Sequence, residues 1–300
     1  GGAQILSGVR VHRIRHRLGK ALGILGTGPG GIPVRVDADA VVLSASATGS
    51  AALLLASGLG DPFNQVGAGL HLHPGASVGG VFPDPVQGWE GIPQSWECTE
   101  HFDPTDSEKR CWLLPVFAHP VGTAASLPGL GAQHALWMSR YNHLGAASAM
   151  LHDHSTGRIL ATPEGKPRIR YQLDQEDATH LGRGLGHCAE ILLAAGATEV
   201  LMPQNNGTVV RTSKEASDIG SIAVRPFDPP LAAVHPMGGL RMGQNPRRSA
   251  VDPRGKLHGR KNIWVADGSL MPTSTGGPPQ LTIYALGHMV GGWCAEQLNQ

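Results

Sequence analysis

The stretch over residues 235–281 constrains the fold of this chain more than any other. It contains the glycine-rich segment H-P-M-G-G-L-R-M-G, a short apolar run at 263–266, and the acid–glycine pair Asp267 and Gly268. An apolar run of this length, bounded by Asn262 and an acid, predicts a buried strand that delivers an acid and a flexible glycine at its carboxyl end. Because ligands bind at that end of the strands in open α/β sheets, we predict one edge of a ligand site here.

A helix is predicted directly after a second glycine turn. Gly276 and Gly277 allow the backbone to turn and to approach a ligand closely, and Pro278 and Pro279 suit the start of a helix. The residues that follow, 280–298, show an amphipathic pattern, so the helix is expected to begin at about Pro279. Its first backbone amides lack partners within the helix and carry the positive end of the helix dipole, so they favour negative charge in front of them.

Two separated motifs resemble the signatures of the glucose-methanol-choline (GMC) family of flavin oxidoreductases. The C-terminal stretch is similar to the family patterns H-P-x-G-x-x-R-M-G and A-D-G-S-x-x-P-T-x-x-G-x-x-P-Q-x-T-I. The segment 46–60, S-A-T-G-S-A-A-L-L-L-A-S-G-L-G, resembles the family's other fingerprint and departs from it at Ala51, where Pro or Ser is usual. The resemblance covers most of the chain and is weakest between residues 80 and 225.

This resemblance implies an α/β (α+β) fold, in which part of a Rossmann-like FAD-binding domain joins an antiparallel-sheet substrate domain with flanking helices. The implied domains are an FAD-domain segment at 1–61, a substrate-binding domain at 62–227, and a C-terminal FAD-domain segment with the catalytic histidine at 228–300.

The residue pattern of the middle of the chain independently predicts an antiparallel sheet. Strand-like runs lie at 111–117, 134–140, 146–151, 167–173 and 198–202. A helix is predicted over 174–195, because acids fill its first turn and Gly196 lies beyond its end. Nearer the N-terminus, residues 9–14 and 32–43 are expected to supply further strands.

The resemblance assigns the chemistry to His235, the histidine of H-P-x-G. In the family this residue removes the hydroxyl proton of an alcohol while hydride leaves carbon for the flavin, and a histidine that titrates near neutral pH suits that step. The expected function is therefore that of an FAD-dependent alcohol oxidase or dehydrogenase acting on the CH–OH group of an alcohol or sugar. The residues expected against the FAD cofactor are Asp267, Gly268, Gly277, Pro278, Pro279, Gln280 and Leu281.

Pro278 departs from the family pattern. Members commonly carry Asn or His there, and that side chain hydrogen-bonds the substrate hydroxyl, which proline cannot do. His235 then works alone, or with a polar group such as Gln280, Asn205 or Asn206, or the usual alcohol oxidation has been lost. Two alternative functions stay open: a flavin-containing lyase of the same family with His235 as acid–base, and a non-catalytic subunit that completes a partner chain's fold.

The G-x-G-x-x-G match at 26–31 does not supply the family's adenosine-binding βαβ unit. That fingerprint needs a helix after it and an acid about twenty residues further on, whereas Pro29 and a β-type alternation follow here. We therefore interpret 26–31 as a hairpin tip, and expect the chain to be the C-terminal half to two-thirds of such an enzyme. Its expected partner is a complementary chain that carries the G-x-G-x-x-G unit and begins the sheet that residues 1–61 complete.

Composition excludes other classes of partner. Lys and Arg total 24 against 23 Asp and Glu, a net charge of +1, so no basic face for nucleic acid is indicated. No apolar run reaches the ~18 residues of a membrane span, and the first residues resemble no signal peptide. A cytoplasmic protein is expected, with export left open because the start of the sequence is open to trimming.

Other polar residues carry weaker interpretations. No metal site is expected, because the pairs at 71/73 and 152/154 lack a third ligand at fixed spacing, and these histidines are interpreted as loop or surface residues. Arg241 either neutralises a flavin phosphate or holds its loop through a carboxylate. The four cysteines show no C-x-x-C spacing and predict free thiols, with a bridge between Cys98 and Cys111 as the alternative.

Overall fold

The computed structural model describes residues 2–299. Its strands are β1 Arg10–Arg17, β2 Lys20–Thr27, β3 Pro33–Asp37, β4 Val41–Leu43, β5 Ala68–Leu70, β6 Pro74–Val81, β7 Cys111–Val116, β8 Leu144–Leu151, β9 Gly157–Ala161, β10 Pro167–Arg170, β11 Glu199–Leu201, β12 Val209–Val210, β13 Ala232–Ala233 and β14 Ile263–Val265. Its helices are α1 Ser46–Ala56, α2 Pro120–Ser126, α3 Ala132–Ser139, α4 Gln175–Ala194, α5 Ser213–Gly220 and α6 Gln280–Leu298.

The chain begins with an antiparallel meander of β1, β2 and β3. The glycine-rich match at 26–31 lies at the tip between β2 and β3, where the Gly28 amide donates to the Ile32 carbonyl at 2.8 Å. Because a strand and not a helix follows this segment, the predicted hairpin tip is confirmed.

Strands β4 and β14 form a two-stranded parallel sheet, in which Val41 pairs with Ile263 and Leu43 pairs with Val265. All three residues of β14 are buried, and α6 begins at Gln280, so both elements predicted from this stretch are confirmed. Parallel strands are normally covered on both faces and belong to larger sheets. The core around the pair draws on distant parts of the chain, with Leu54, Leu70, Ile159, Trp264 and Val290 among its members.

A second core lies under a six-stranded antiparallel sheet. Strands β12, β11, β6, β8 and β7 follow one another in that order, and β13 pairs with residues 74–75 at the start of β6. Helix α4 covers one face, where Leu181 and Leu185 pack with Val78 and Ala149 of the sheet. The Asp174 side chain caps α4, so the helix predicted over this region and its acidic first turn are confirmed.

One predicted strand is wrong. Residues 134–140 lie mostly in α3, which packs Trp137 against Leu144 and Leu201. A short apolar run without a clear period fits a strand and a helix equally well, so the local pattern could not separate them. The run predicted at 167–173 is shorter than expected, because β10 ends at Arg170.

Strand β6 was not predicted, because Gly75, Gly79 and Gly80 hide its apolar alternation. The glycine at position 80 has a packing reason: a Cβ there would lie 3.1 Å from the Ala197 Cβ and 3.2 Å from the Leu192 Cβ. Glycine therefore allows the end of α4 and the loop after it to approach the sheet closely.

A third sheet, in the order β10, β9 and β5, packs against the first core, because Ile159 of β9 packs with residues of α1. All four cysteines are free thiols, so the alternative bridge between Cys98 and Cys111 is not formed.

No helix within residues 2–299 combines the length and the apolar character that a bilayer span requires.

Candidate active site

The backbone register brings His73 against His235, although the two residues are 162 positions apart. His71 and Met237 exchange backbone hydrogen bonds of 2.8 and 2.9 Å in antiparallel orientation, which places residue 73 opposite residue 235. The two Nδ1 atoms are 3.0 Å apart, and the rings stack with their centroids separated by 5.1 Å.

Asp153 fixes the backbone that carries His73. Its carboxylate accepts hydrogen bonds from the Leu72 amide at 2.9 Å, the His73 amide at 3.1 Å and the Tyr171 hydroxyl at 2.7 Å. This support is needed because His73 adopts a left-handed backbone conformation, with φ of +50°. Asp153 is itself fully buried, so the clamp lies inside the protein.

The interpretation of the 71/73 pair as loop or surface histidines is right only in part, because the two residues lie in the loop between β5 and β6 but neither is at the surface. His73 is 0% exposed and His71 is 4% exposed, and the His71 Nδ1 lies 3.1 Å from the Asp153 carbonyl oxygen. Burial is the main cause that lowers the pKa of each of these residues. Within residues 2–299, no cluster of three or more His, Cys, Asp or Glu side chains is arranged to hold a metal ion.

Burial also sets the protonation of the facing pair. It lowers the pKa of His73 to about 4, with the charge of His235 as the second cause, and it lowers the pKa of His235 from its ordinary value. Both rings are therefore neutral at neutral pH, and one of them donates to the other. The His235 ring makes this one side-chain hydrogen bond among the residues the structure describes.

A cavity of about 700 Å³ opens beside His235. The start of α1 borders it through Ser46 and Ala47, and the start of α6 borders it through Gln280 and Ile283. Neither helix start carries a side-chain cap. The Ile283 amide bonds the Pro279 carbonyl at 2.9 Å, which leaves the amides of residues 280–282 without an acceptor inside the helix.

The structure brings most of the sequence-predicted site residues to this one cavity. Its lining includes His235, Asp267, Gly268, Pro278, Pro279 and Gln280. Gly277 and Leu281 are not part of the lining, and the Leu281 side chain is 81% exposed. The Asp267 carboxylate is engaged by the hydroxyls of Ser50 and Ser269, so it shapes the edge of the cavity and caps the turn that follows.

The candidate helpers of His235 behave differently from one another. Gln280 lines the cavity and donates to the Tyr284 hydroxyl at 2.7 Å. Asn205 donates to the Phe227 carbonyl in an exposed loop, and neither it nor Asn206 lines the cavity. Sequence reasoning missed His73 as a neighbour of His235. The signal available was the H-x-H pattern, but only the pairing of the two backbones reveals which histidine meets which.

Arg241 lies away from this cavity. Its guanidinium is 3.4 Å from the Gln65 side-chain oxygen, and it faces a separate cleft together with Arg158 and Arg170. Within the described chain it makes no ion pair with a carboxylate, so the interpretation of a loop held through a carboxylate is wrong.

Comparisons with known proteins agree with this architecture. Residues 1–75 and 153–287 match two family models, each described as GMC oxidoreductase. An uncharacterized GMC-type oxidoreductase of Mycobacterium tuberculosis is 35% identical over 95% of this chain. A long-chain-alcohol oxidase of Arabidopsis thaliana is 24% identical over 99% of this chain. The chain belongs to the GMC oxidoreductase family, as its motifs predict.

Solved structures extend the agreement to the fold. Pyridoxine 4-oxidase from Mesorbium loti superposes with a TM-score of 0.66 at 21% identity, covering 99% of this chain and 58% of that one. A formate oxidase variant of Aspergillus oryzae gives a TM-score of 0.69 at 17% identity, covering 96% and 60%. The expected mixed α/β fold is confirmed.

The comparisons also fix the extent of the match. This chain covers 44% of the length of the Mycobacterium relative and 43% of the Arabidopsis one. Proteins of the GMC family are flavoproteins that use FAD. The cavity fits such a cofactor in one respect, because the free amides at the uncapped start of α6 suit an anionic group. The G-x-G-x-x-G segment at the hairpin tip does not fit the cofactor's diphosphate.

Proposed function

We propose that this chain is the substrate-binding and catalytic portion of an FAD-dependent oxidoreductase that acts on the CH–OH group of a small alcohol or sugar. The observation that carries the proposal is the position of His235, whose half-buried ring lines the cavity while its Nδ1 is held by His73. FAD, when bound, supplies the acceptor for the electrons that leave the substrate.

His235 is the proposed base. Its lowered pKa keeps the ring neutral at neutral pH, so it can accept the hydroxyl proton of a substrate in the cavity. His73 is fully buried, so the side of the pair that faces away from the cavity is shielded from water. No step is assigned to Pro278, because its side chain neither donates nor accepts.

The residues proposed to hold FAD lie around the cavity. Asp267 and Gly268 form its edge at the end of β14, and the free amides at the start of α6 favour negative charge. Gly277 and Leu281 keep their proposed place beside the cofactor as neighbours of that helix start. Their backbone would contribute rather than their side chains, since the Leu281 side chain points to solvent.

The second part of the proposal is a complementary portion that supplies the adenosine-binding unit. Two features support it: within residues 2–299 the parallel sheet has only two strands, and α6 exposes apolar side chains. The exposed side chains of α6 include Leu281, Tyr284, Met289 and Leu298. An apolar helix face and an open sheet edge are surfaces that folded proteins normally cover.

Reconstitution tests this proposal. The chain is expressed alone and together with a GMC N-terminal portion that carries G-x-G-x-x-G, and both preparations are assayed for bound FAD by absorbance. We expect weak FAD binding and poor solubility alone, and restoration of both by the second portion. A monomeric 300-residue protein that binds FAD tightly and melts cooperatively would overturn the need for a partner.

One observation favours a second candidate, a non-catalytic subunit. Pro278 lines the cavity where family members carry a hydrogen-bonding side chain, so the resemblance alone does not guarantee alcohol oxidation. Reduction of the flavin by alcohols in the reconstituted complex separates the two: an active enzyme bleaches its flavin absorbance, whereas a non-catalytic subunit does not. A lyase of the same fold would convert substrate without net bleaching.

A further inference from the structure

We propose that His73 is a positioning residue for His235: its Nδ1 accepts the Nδ1–H of His235 and leaves the Nε2 lone pair of His235 to receive the substrate proton. This inference rests on the proposed role of His235 as the base. It assigns a function to a histidine that lies far from the C-terminal motifs in the sequence.

The geometry allows only two proton arrangements for the pair. The two Nδ1 atoms are 3.0 Å apart, so one carries a proton and the other accepts it. If His73 donated, the single proton of neutral His235 would lie on Nε2, and that atom could not accept another. The reverse arrangement frees the Nε2 of His235, so it is the arrangement that a base requires.

The environment of His73 suits an acceptor. The ring is fully buried and stays neutral, because burial lowers its pKa to about 4. In this arrangement its own proton lies on Nε2. The backbone of Gly276 favours a proton on the His73 ring. Within residues 2–299 the buried Nε2 atom of His73 has no hydrogen-bond partner of ordinary geometry.

Hydrogen bonds to the local backbone fix the position of the His73 ring. Asp153 accepts from the amides of Leu72 and His73 and from the Tyr171 hydroxyl, which holds the left-handed backbone at position 73. A side chain on so constrained a backbone has little freedom to leave His235. The arrangement is similar in logic to a carboxylate that orients a catalytic histidine, with a neutral ring in place of the carboxylate.

A consequence follows for the titration of His235. The Nδ1–H···Nδ1 hydrogen bond strengthens when His235 becomes positively charged, so His73 favours the protonated form and opposes the effect of burial. The other titratable groups that face the pair, Asp153 and His152, lie on the His73 side. Removal of the acceptor is therefore expected to lower the pKa of His235 further.

Three substitutions test the inference in the FAD-loaded complex. His73→Leu removes the acceptor. His73→Asn places an amide oxygen near the position of Nδ1, and Asn tolerates the left-handed backbone. His73→Gln is the matched control, because its amide oxygen extends one bond further and its backbone strain resembles that of Leu. His235→Ala is measured beside them to test the base itself.

We expect His73→Leu and His73→Gln to slow anaerobic flavin reduction roughly 10- to 100-fold and to shift its acid limb to lower pH. His73→Asn should recover most of the rate and the wild-type pH profile. Equal rates and unshifted profiles in all three variants, with His235→Ala still slow, would overturn the inference and leave the proposed function standing. A fast His235→Ala would instead contradict the proposed function.

A measurement on the unsubstituted protein covers the case in which a variant does not fold. In protein labelled with ¹⁵N-histidine, the nitrogen chemical shifts report which ring atom of His235 carries the proton. Above its pKa, we expect the proton on Nδ1. A proton on Nε2 under the same conditions would overturn the inference without any activity assay.

Discussion

The Asp267 carboxylate accepts a hydrogen bond from the Ser50 hydroxyl, which joins the end of β14 to helix α1 across 217 positions of sequence. The same carboxylate accepts from the Ser269 amide at 2.9 Å and from its hydroxyl. All three side chains are buried, so the edge of the cavity is held by a satisfied polar cluster. The acid predicted from sequence to contact a cofactor therefore also has a structural task.

Removal of the Ser50 hydroxyl tests that task. Ser50→Ala takes a donor from a buried carboxylate, so we expect the free energy of unfolding of the FAD-loaded complex to fall by about 1–3 kcal/mol. Ser44→Ala is the matched control, because the exposed Ser44 hydroxyl donates to the Ala266 carbonyl near the same strand end. Urea denaturation measures both variants, and equal losses of stability would contradict the special role of the Ser50 contact.

Pro278→Asn restores the side chain that the family commonly carries at this position. Pro278 is exposed to the cavity, so an amide can be accommodated, and we expect turnover to be preserved or improved. Steady-state rates with a panel of small alcohols and sugars measure the effect. A fall of more than about tenfold would mean that another group occupies this part of the pocket and that the added side chain crowds it.

Acid should destabilise the protein through His73. Its pKa is about 4 when folded against an ordinary value of 6.5, so between those values the unfolded state binds more protons and stability rises with pH. Neutral His73 leaves the folded state its full free energy of unfolding above pH 6.5. Roughly 3 kcal/mol of that free energy depends on this residue being neutral, and most of it is lost by pH 4. His73→Asn should flatten this dependence in unfolding measurements, whereas His119→Asn at an exposed position should leave it unchanged.

The exposed face of α6 should mediate assembly with the complementary portion. Met289 is 47% exposed on this face, so Met289→Lys is expected to weaken association about tenfold or more by placing a charge in an apolar interface. Leu136→Lys is the matched control, because Leu136 is 51% exposed on α3, a helix that packs in a different core from the parallel strands. Analytical ultracentrifugation of the mixed portions compares them, and equal affinities would exclude this face as the interface.

Local patterns predicted the elements at both ends of the chain well. Short contiguous segments determine three of these elements: the strand at 263–266, the start of α6 and the hairpin tip at 26–31. Tertiary packing determines two others. Strand β6 depends on the close approach that Gly80 allows, and helix α3 depends on the burial of Trp137. Those contacts are long-range and leave no period in the sequence.

Some residues of the candidate site could be predicted from contiguous motifs, and others could not. The H-P-x-G and A-D-G-S motifs located His235 and the edge of the cavity, because each motif is contiguous. The contact between His235 and His73 depends on an antiparallel register between segments 162 positions apart, which no contiguous pattern encodes. The burial of Asp153 and its hydrogen bond from Tyr171 were hidden for the same reason.

Flavin reduction in His235→Ala tests the central claim most directly. The FAD-loaded complex is mixed with a reducing alcohol under anaerobic conditions, and loss of flavin absorbance is followed by stopped flow from pH 4.5 to 8. We predict that the wild-type rate falls as pH drops through a value below 6.5, because burial lowers the pKa of His235. His235→Ala should retain its FAD, react roughly 10²- to 10⁴-fold more slowly and lose that acid limb. An unchanged rate and pH profile in His235→Ala would remove this histidine from the mechanism and contradict the account.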